Sequence, residues 1–144
     1  MLDLDGFQKK FPVTKKITVA WGEQDALGHV NNTVFFRYFE TARIEFFLKA
    51  GISLKDKVAP ILAKTECKFI NPIYFPDQVI AGAGVGSIDK DRFSMNYGLY
   101  STSSRKLVAL GSANIVSFNY IDKIKVDLPQ NWLRELEKIA TSKD

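Results

Sequence analysis

Asp25, His29, Asn31, Asn32 and Thr33 lie close together, directly ahead of a long apolar run. A carboxylate, an imidazole and three cap-type side chains in such a place have a chemical use. The first turn of a helix carries unpaired N–H groups and a partial positive charge. That end can hold a developing oxyanion. A carboxylate a few residues upstream can then attack a carbonyl, or activate water, beside it. The same residues also read as plain structure, because Asp, Asn and Thr side chains accept free first-turn N–H groups and shape turns. His29 is the only histidine and Cys67 the only cysteine. Those counts exclude an intrachain disulfide and a Cys-rich metal site, and they argue against a His-based zinc site. A histidine-dependent step has only His29 to use.

The elements that must position these residues follow from the pattern. Residues 17–21 are β-branched and aromatic and predict a strand. Residues 22–32, with two glycines and two asparagines, predict a loop. Residues 33–50 contain neither Gly nor Pro, and Phe35, Phe39, Ala42, Phe46 and Ala50 fall at helical spacing. Phe36, Tyr38 and Phe47 widen that stripe, so the helix is expected to be buried by more than one neighbour. Gly51 stands where a helix end favours a left-handed residue. Alternation over 61–69, an apolar run with Gly82, Gly84 and Gly86 over 79–88, alternation from Phe93 to Leu99, and a run over 106–120 predict four long strands in a meander. A terminal helix over 129–140 puts Trp132, Leu133, Leu136 and Ile139 on one face. Consecutive strands without intervening helices argue for an α+β fold, with a twisted antiparallel sheet curling around the long helix.

The chain has 144 residues, 46% hydrophobic and 25% charged, which suits one globular domain over 1–144. Lys plus Arg is 20 and Asp plus Glu is 16, a net charge of +4. That surplus is too small for a polybasic protein and tolerates a polyanionic small molecule. No apolar run approaches the ~20 residues that cross a bilayer. The N-terminal residues lack a signal-peptide pattern, so the expected compartment is the cytoplasm, without membrane attachment. A nucleic-acid role is motivated only by the basic pI and lacks a basic helix or aromatic sheet motif.

From Trp21 to Arg43 the string D-A-L-G-H-V-N-N-T-V-F-F-R-Y-F-E-T-A-R resembles the signature of hotdog-fold acyl-CoA thioesterases. It is similar to the 4-hydroxybenzoyl-CoA thioesterase family and its relatives acting on fatty acyl thioesters. The run from Thr65 to Asp77 resembles that family's second strand and Pro-containing turn. The resemblance covers roughly residues 14–120. It implies an α+β hotdog fold, a long central helix wrapped by a curved antiparallel sheet. It implies hydrolysis of an acyl-CoA to free acid and CoA, with an acyl-carrier protein as the alternative carrier. By position, Asp25 is the family's carboxylate, acting as nucleophile or general base, and the backbone near Asn32 and Thr33 polarises the carbonyl. His29 and Asn32 shape the site or orient water, although some relatives carry other residues there. Trp21 and Phe35 line the acyl or pantetheine channel. The CoA phosphates are expected near Arg92, Ser94, Ser101 or Lys106, which are equally ordinary solvated residues. The H-V-N-N form leans towards fatty acyl groups.

The resemblance also implies no metal and no cofactor, coenzyme A being part of the substrate, and a homodimer or homotetramer. A thiol with a pKa near 8.5 leaves without a strong acid. Glu40 is a second candidate acid, because other hotdog branches place one on this helix, although it stands at i, i+3 from Arg43. Cys67, mid-strand on the apolar side, reads as a core residue. A non-hydrolytic acyl-thioester binding protein, or a dehydratase relative, is the competing reading.

Overall fold

In the computed structural model, which describes residues 2–142, an 18-residue helix lies in the hollow of a curved antiparallel sheet. The elements are α1 (Leu4–Lys10), β1 (Val13–Thr18), a 3₁₀ turn (Trp21–Glu23) and α2 (Asn32–Lys49). There follow β2 (Val58–Phe69), β3 (Gln78–Ile88), β4 (Arg92–Ser101), β5 (Lys106–Asn119), the short β6 (Ile124–Lys125) and α3 (Gln130–Ser142). The sheet order is β1-β3-β4-β5-β2, with β6 beside β5. This is the hotdog arrangement expected from the resemblance.

Period-two alternation builds both faces. Ala81, Ala83 and Val85 of β3, Phe93, Met95, Tyr97 and Leu99 of β4, and Ala109, Ala113 and Ile115 of β5 form the concave core. Phe35, Tyr38, Phe39, Ala42, Phe46 and Phe47 of α2 fill it. Phe39 stacks on Tyr97 with ring centroids 5.1 Å apart. Small side chains on the sheet let this aromatic helix sit close: a Cβ on Gly111 would meet the Phe39 ring at 2.4 Å. Ile44 and Leu48 remain exposed on the opposite side of α2. Gly51 ends the helix at φ +67°. In α3, Trp132 and Leu136 are buried, and Leu133 and Ile139 pack against the same core.

Two expectations need correction, and one further element is present. Only β3, β4 and β5 form a meander; β2 crosses to the far edge beside β5, and β1 pairs with β3. The first strand lies at Val13–Thr18 rather than 17–21, because Trp21 begins a 3₁₀ turn. The pattern of residues did not predict α1. This helix lays Phe7 and Phe11 on the convex face beside Ile80 and Tyr100. Gly82 and Gly98, paired across β3 and β4, make the dimple for these rings. The glycines thus admit a close approach by α1.

Candidate active site

The segment ahead of α2 folds as a tight hairpin. Gln24 bridges Val30, and the Asp25 N–H donates to the His29 carbonyl at 2.9 Å. The tip closes through Gly28, whose N–H donates to the Asp25 carbonyl and whose φ of +85° suits glycine. Asp25 Oδ1 accepts the Leu27 N–H at 2.8 Å, an Asx turn that fixes the carboxyl orientation. Among the described residues no donor reaches its other oxygen. The hairpin is tied down at its exit. Val30 donates its N–H to the Ile73 carbonyl, and Asn31 to the Glu23 carbonyl.

Asn31 is the N-cap of α2. Its Oδ1 accepts both the Thr33 N–H, at 2.9 Å, and the Thr33 hydroxyl, at 2.7 Å. The Thr33 amide is therefore committed to the cap. The Asn32 N–H, at the first helical position, has no acceptor among the described residues. It is the free donor at the positive end of the helix.

This end of the helix opens on a cleft of about 300 Å³. His29, Asn32 and Phe35 form one wall, and Phe69, Ile70 and Asn71, at the end of β2, form the other. The Phe35 and Phe69 rings meet edge to face at 5.0 Å. Asn71 is anchored to β5 by its Nδ2–H donating to the Leu107 carbonyl. His29 is half-buried, with Nδ1 3.3 Å from the Val30 carbonyl and its ring edge-on to Tyr74. The arrangement offers an apolar slot with an imidazole, an amide side chain and a free helical N–H at its polar end. Asp25 stands across the hairpin from His29.

The other candidates are placed differently. Trp21 is 72% exposed in the single chain and does not line the cleft. Thr33 lines a separate polar cleft of about 260 Å³ with Glu40 and Arg43. Glu40 faces Arg43 at 3.9 Å, and the Arg43 guanidinium donates to the buried Tyr97 hydroxyl. The four phosphate candidates divide between the two ends of β4. Arg92 and Ser94 lie at its start and Ser101 at its end, roughly 30 Å away at ~3.3 Å per residue. Phe69 is in register with Ala109, and Ala109 with Leu99, so the cleft is level with Ser101 and Lys106. Lys106 is exposed, whereas Ser101 is buried with its hydroxyl donating to Asp77. Arg92 is held by Asp91 at 2.9 Å, and that pairing keeps the Asp91 carboxyl below the usual range. Ser94 accepts the Ser87 N–H. Cys67 packs against the concave core, and burial pushes its thiol up to about 11.

Sequence reasoning passed over Ile70 and Asn71 as site residues; the Asn-Pro pair after the strand was the available signal. It also passed over Glu23 and Tyr38, which join the hairpin to α2 at 2.7 Å.

Comparison with known proteins decides the family. The model of the thioesterase-like superfamily matches residues 19–136. The chain belongs to that superfamily. Among relatives, YsmA of Bacillus subtilis, an uncharacterised protein, is 23% identical over 92 residues, 63% of this chain and 63% of that one. The match thus spans less than two thirds of that relative. A 1,4-dihydroxy-2-naphthoyl-CoA thioesterase from Synechocystis superposes with a TM-score of 0.79 at 20% identity, covering 89% of this chain and 97% of that one. A thioesterase from Thermus thermophilus, solved with coenzyme A and Zn, gives 0.77 at 26% identity, covering 88% and 98%. Superfamily membership bears out the expected thioesterase class and hotdog fold. Among the described residues no helix is long and apolar enough to cross a membrane.

Proposed function

We propose that this chain hydrolyses acyl-CoA thioesters to the free acid and CoA, with Asp25 as nucleophile or general base. One observation carries the reading: an apolar cleft ends at the N-terminus of α2, where an uncommitted Asn32 N–H meets His29, while Asp25 does not itself line the cleft but is paired with His29 across the hairpin. The acyl group lies against the joined Phe35 and Phe69 rings. The thioester carbonyl accepts from the Asn32 N–H, since the Thr33 amide is occupied by the cap. As charge builds on that oxygen the donor is worth about 3 kcal/mol, the scale seen for single oxyanion donors. Asp25 attacks the carbonyl carbon to give a mixed anhydride that water then hydrolyses, or takes a proton from a water that attacks directly; either way CoA leaves as thiolate and the acid is released. His29 and Asn32 hold the polar end of the cleft. The reaction uses no cofactor or metal.

The partners belong to the same proposal. A 12-residue edge strand, β2, with exposed Leu62 and Phe69, leaves unpaired backbone groups that need covering. A second copy pairing along β2 supplies that cover and makes a homodimer, on which a tetramer would build. The compartment proposed with it is the cytoplasm. Lys106, level with the cleft, is the best placed of the phosphate candidates.

Thiol release measured across a panel of acyl-CoAs tests the activity, with aryl, short-chain and long-chain members. The expected result is turnover of at least one class. Saturable binding of acyl-CoA with no thiol released from any member would favour the non-hydrolytic binding protein instead.

A further inference from the structure

We infer that Glu23 and Tyr38 are positioning residues: their hydrogen bond clamps the Asp25 hairpin to the body of α2 and sets where the carboxylate stands relative to the helix N-terminus. The inference rests on Asp25 being the working carboxylate.

Glu23 is tied through both its side chain and its main chain. Its Oε1 accepts the Tyr38 hydroxyl at 2.7 Å and the Ala20 N–H at 2.8 Å. Its main-chain carbonyl accepts the Asn31 N–H at 3.0 Å. One residue thus joins the entry to the loop, the helix cap and the second turn of the helix. Asp25 is two residues further on, separated only by Gln24, which is itself bridged to Val30. A shift of Glu23 therefore moves Asp25 against the Asn32 amide.

Tyr38 is 2% exposed, in the concave core. A phenylalanine would fill the same space without a polar atom. A buried hydroxyl needs a partner, and this one finds it in the loop. Burial and the nearby Glu23 and Asp77 carboxylates push the phenol well above its ordinary range, so it stays a donor. Reaction geometry is sensitive to such clamps: a displacement of about 1 Å from a remote change can cost on the order of 100-fold in rate.

The test compares Tyr38→Phe, Glu23→Ala and Glu23→Gln with the wild type by steady-state thiol release and by amide hydrogen exchange of Ala20 and Asn31. Tyr38→Phe and Glu23→Ala are expected to lower kcat by on the order of 100-fold with KM unchanged, and to speed exchange at both amides. Glu23→Gln keeps an oxygen acceptor in the same place and restores most of kcat and the slow exchange. Wild-type kcat in Tyr38→Phe, or a Glu23→Gln variant as impaired as Glu23→Ala, would overturn the inference. So would a loss confined to KM. If the wild type releases no thiol, the thioesterase reading fails by itself. The exchange arm then still decides, because unchanged protection in both Tyr38→Phe and Glu23→Ala overturns the clamp.

Discussion

Asp25 is held by short-range chemistry: an Asx turn to Leu27, a closing bond from Gly28 and a pairing with His29 across the hairpin. Because these bonds are local, the hairpin of the candidate site is legible in the order of side chains before α2. Residues acting over longer separations were not. Tyr38 looked like part of the apolar stripe, and its bond to Glu23 depends on how the loop folds back. Asn71 reaches the cleft only because β2 ends against β5. Cys67 shows how environment removes a reactive candidate. Its thiol, raised to about 11 by burial, is protonated across neutral pH, and only a thiolate is a strong nucleophile. Cys67→Ala is therefore expected to keep wild-type turnover, and alkylation at pH 7 to be much slower than for free cysteine. Loss of hydrolysis in that variant, by the same thiol-release assay, would contradict the account.

Among the elements, α2 was readable because its aromatic spacing and terminal Gly51 are both local signals. The place of β2 was not, since sequence neighbours pair by default and nothing in residues 58–69 names β5 as their partner. α1 escaped notice for a related reason. Seven residues carry little periodic signal, and the surface that binds Phe7 and Phe11 exists only once β3 and β4 bring Gly82 and Gly98 together. That contact makes an element-scale prediction. A Cβ on Gly98 would sit 2.6 Å from the Phe11 ring and 2.8 Å from that of Phe7. Gly98→Ala should destabilise the fold by about 1–3 kcal/mol, the usual cost of overpacking. Gly22→Ala, with nothing within 4 Å, should stay within about 0.5 kcal/mol. Urea unfolding of the two variants measures both.

At the scale of the molecule, a curved sheet buries one helix and leaves that helix's first turn, the hairpin and the end of β2 around one opening. The uncovered β2 edge predicts association. Sedimentation equilibrium should give a mass of at least twice the 16.2 kDa chain, and a monomer at micromolar concentration would remove the homodimer. In the proposed function the fold supplies the cleft and the helix N-terminus, and Asp25 supplies the reaction. Thiol release by the wild type and by Asp25→Asn, with matched circular dichroism, tests it most directly. Asparagine keeps the size and the Oδ1 acceptor of the Asx turn but cannot attack or take the proton. The expected result is a folded variant that still binds acyl-CoA and releases no thiol above background. Wild-type rates from a folded Asp25→Asn protein would contradict it.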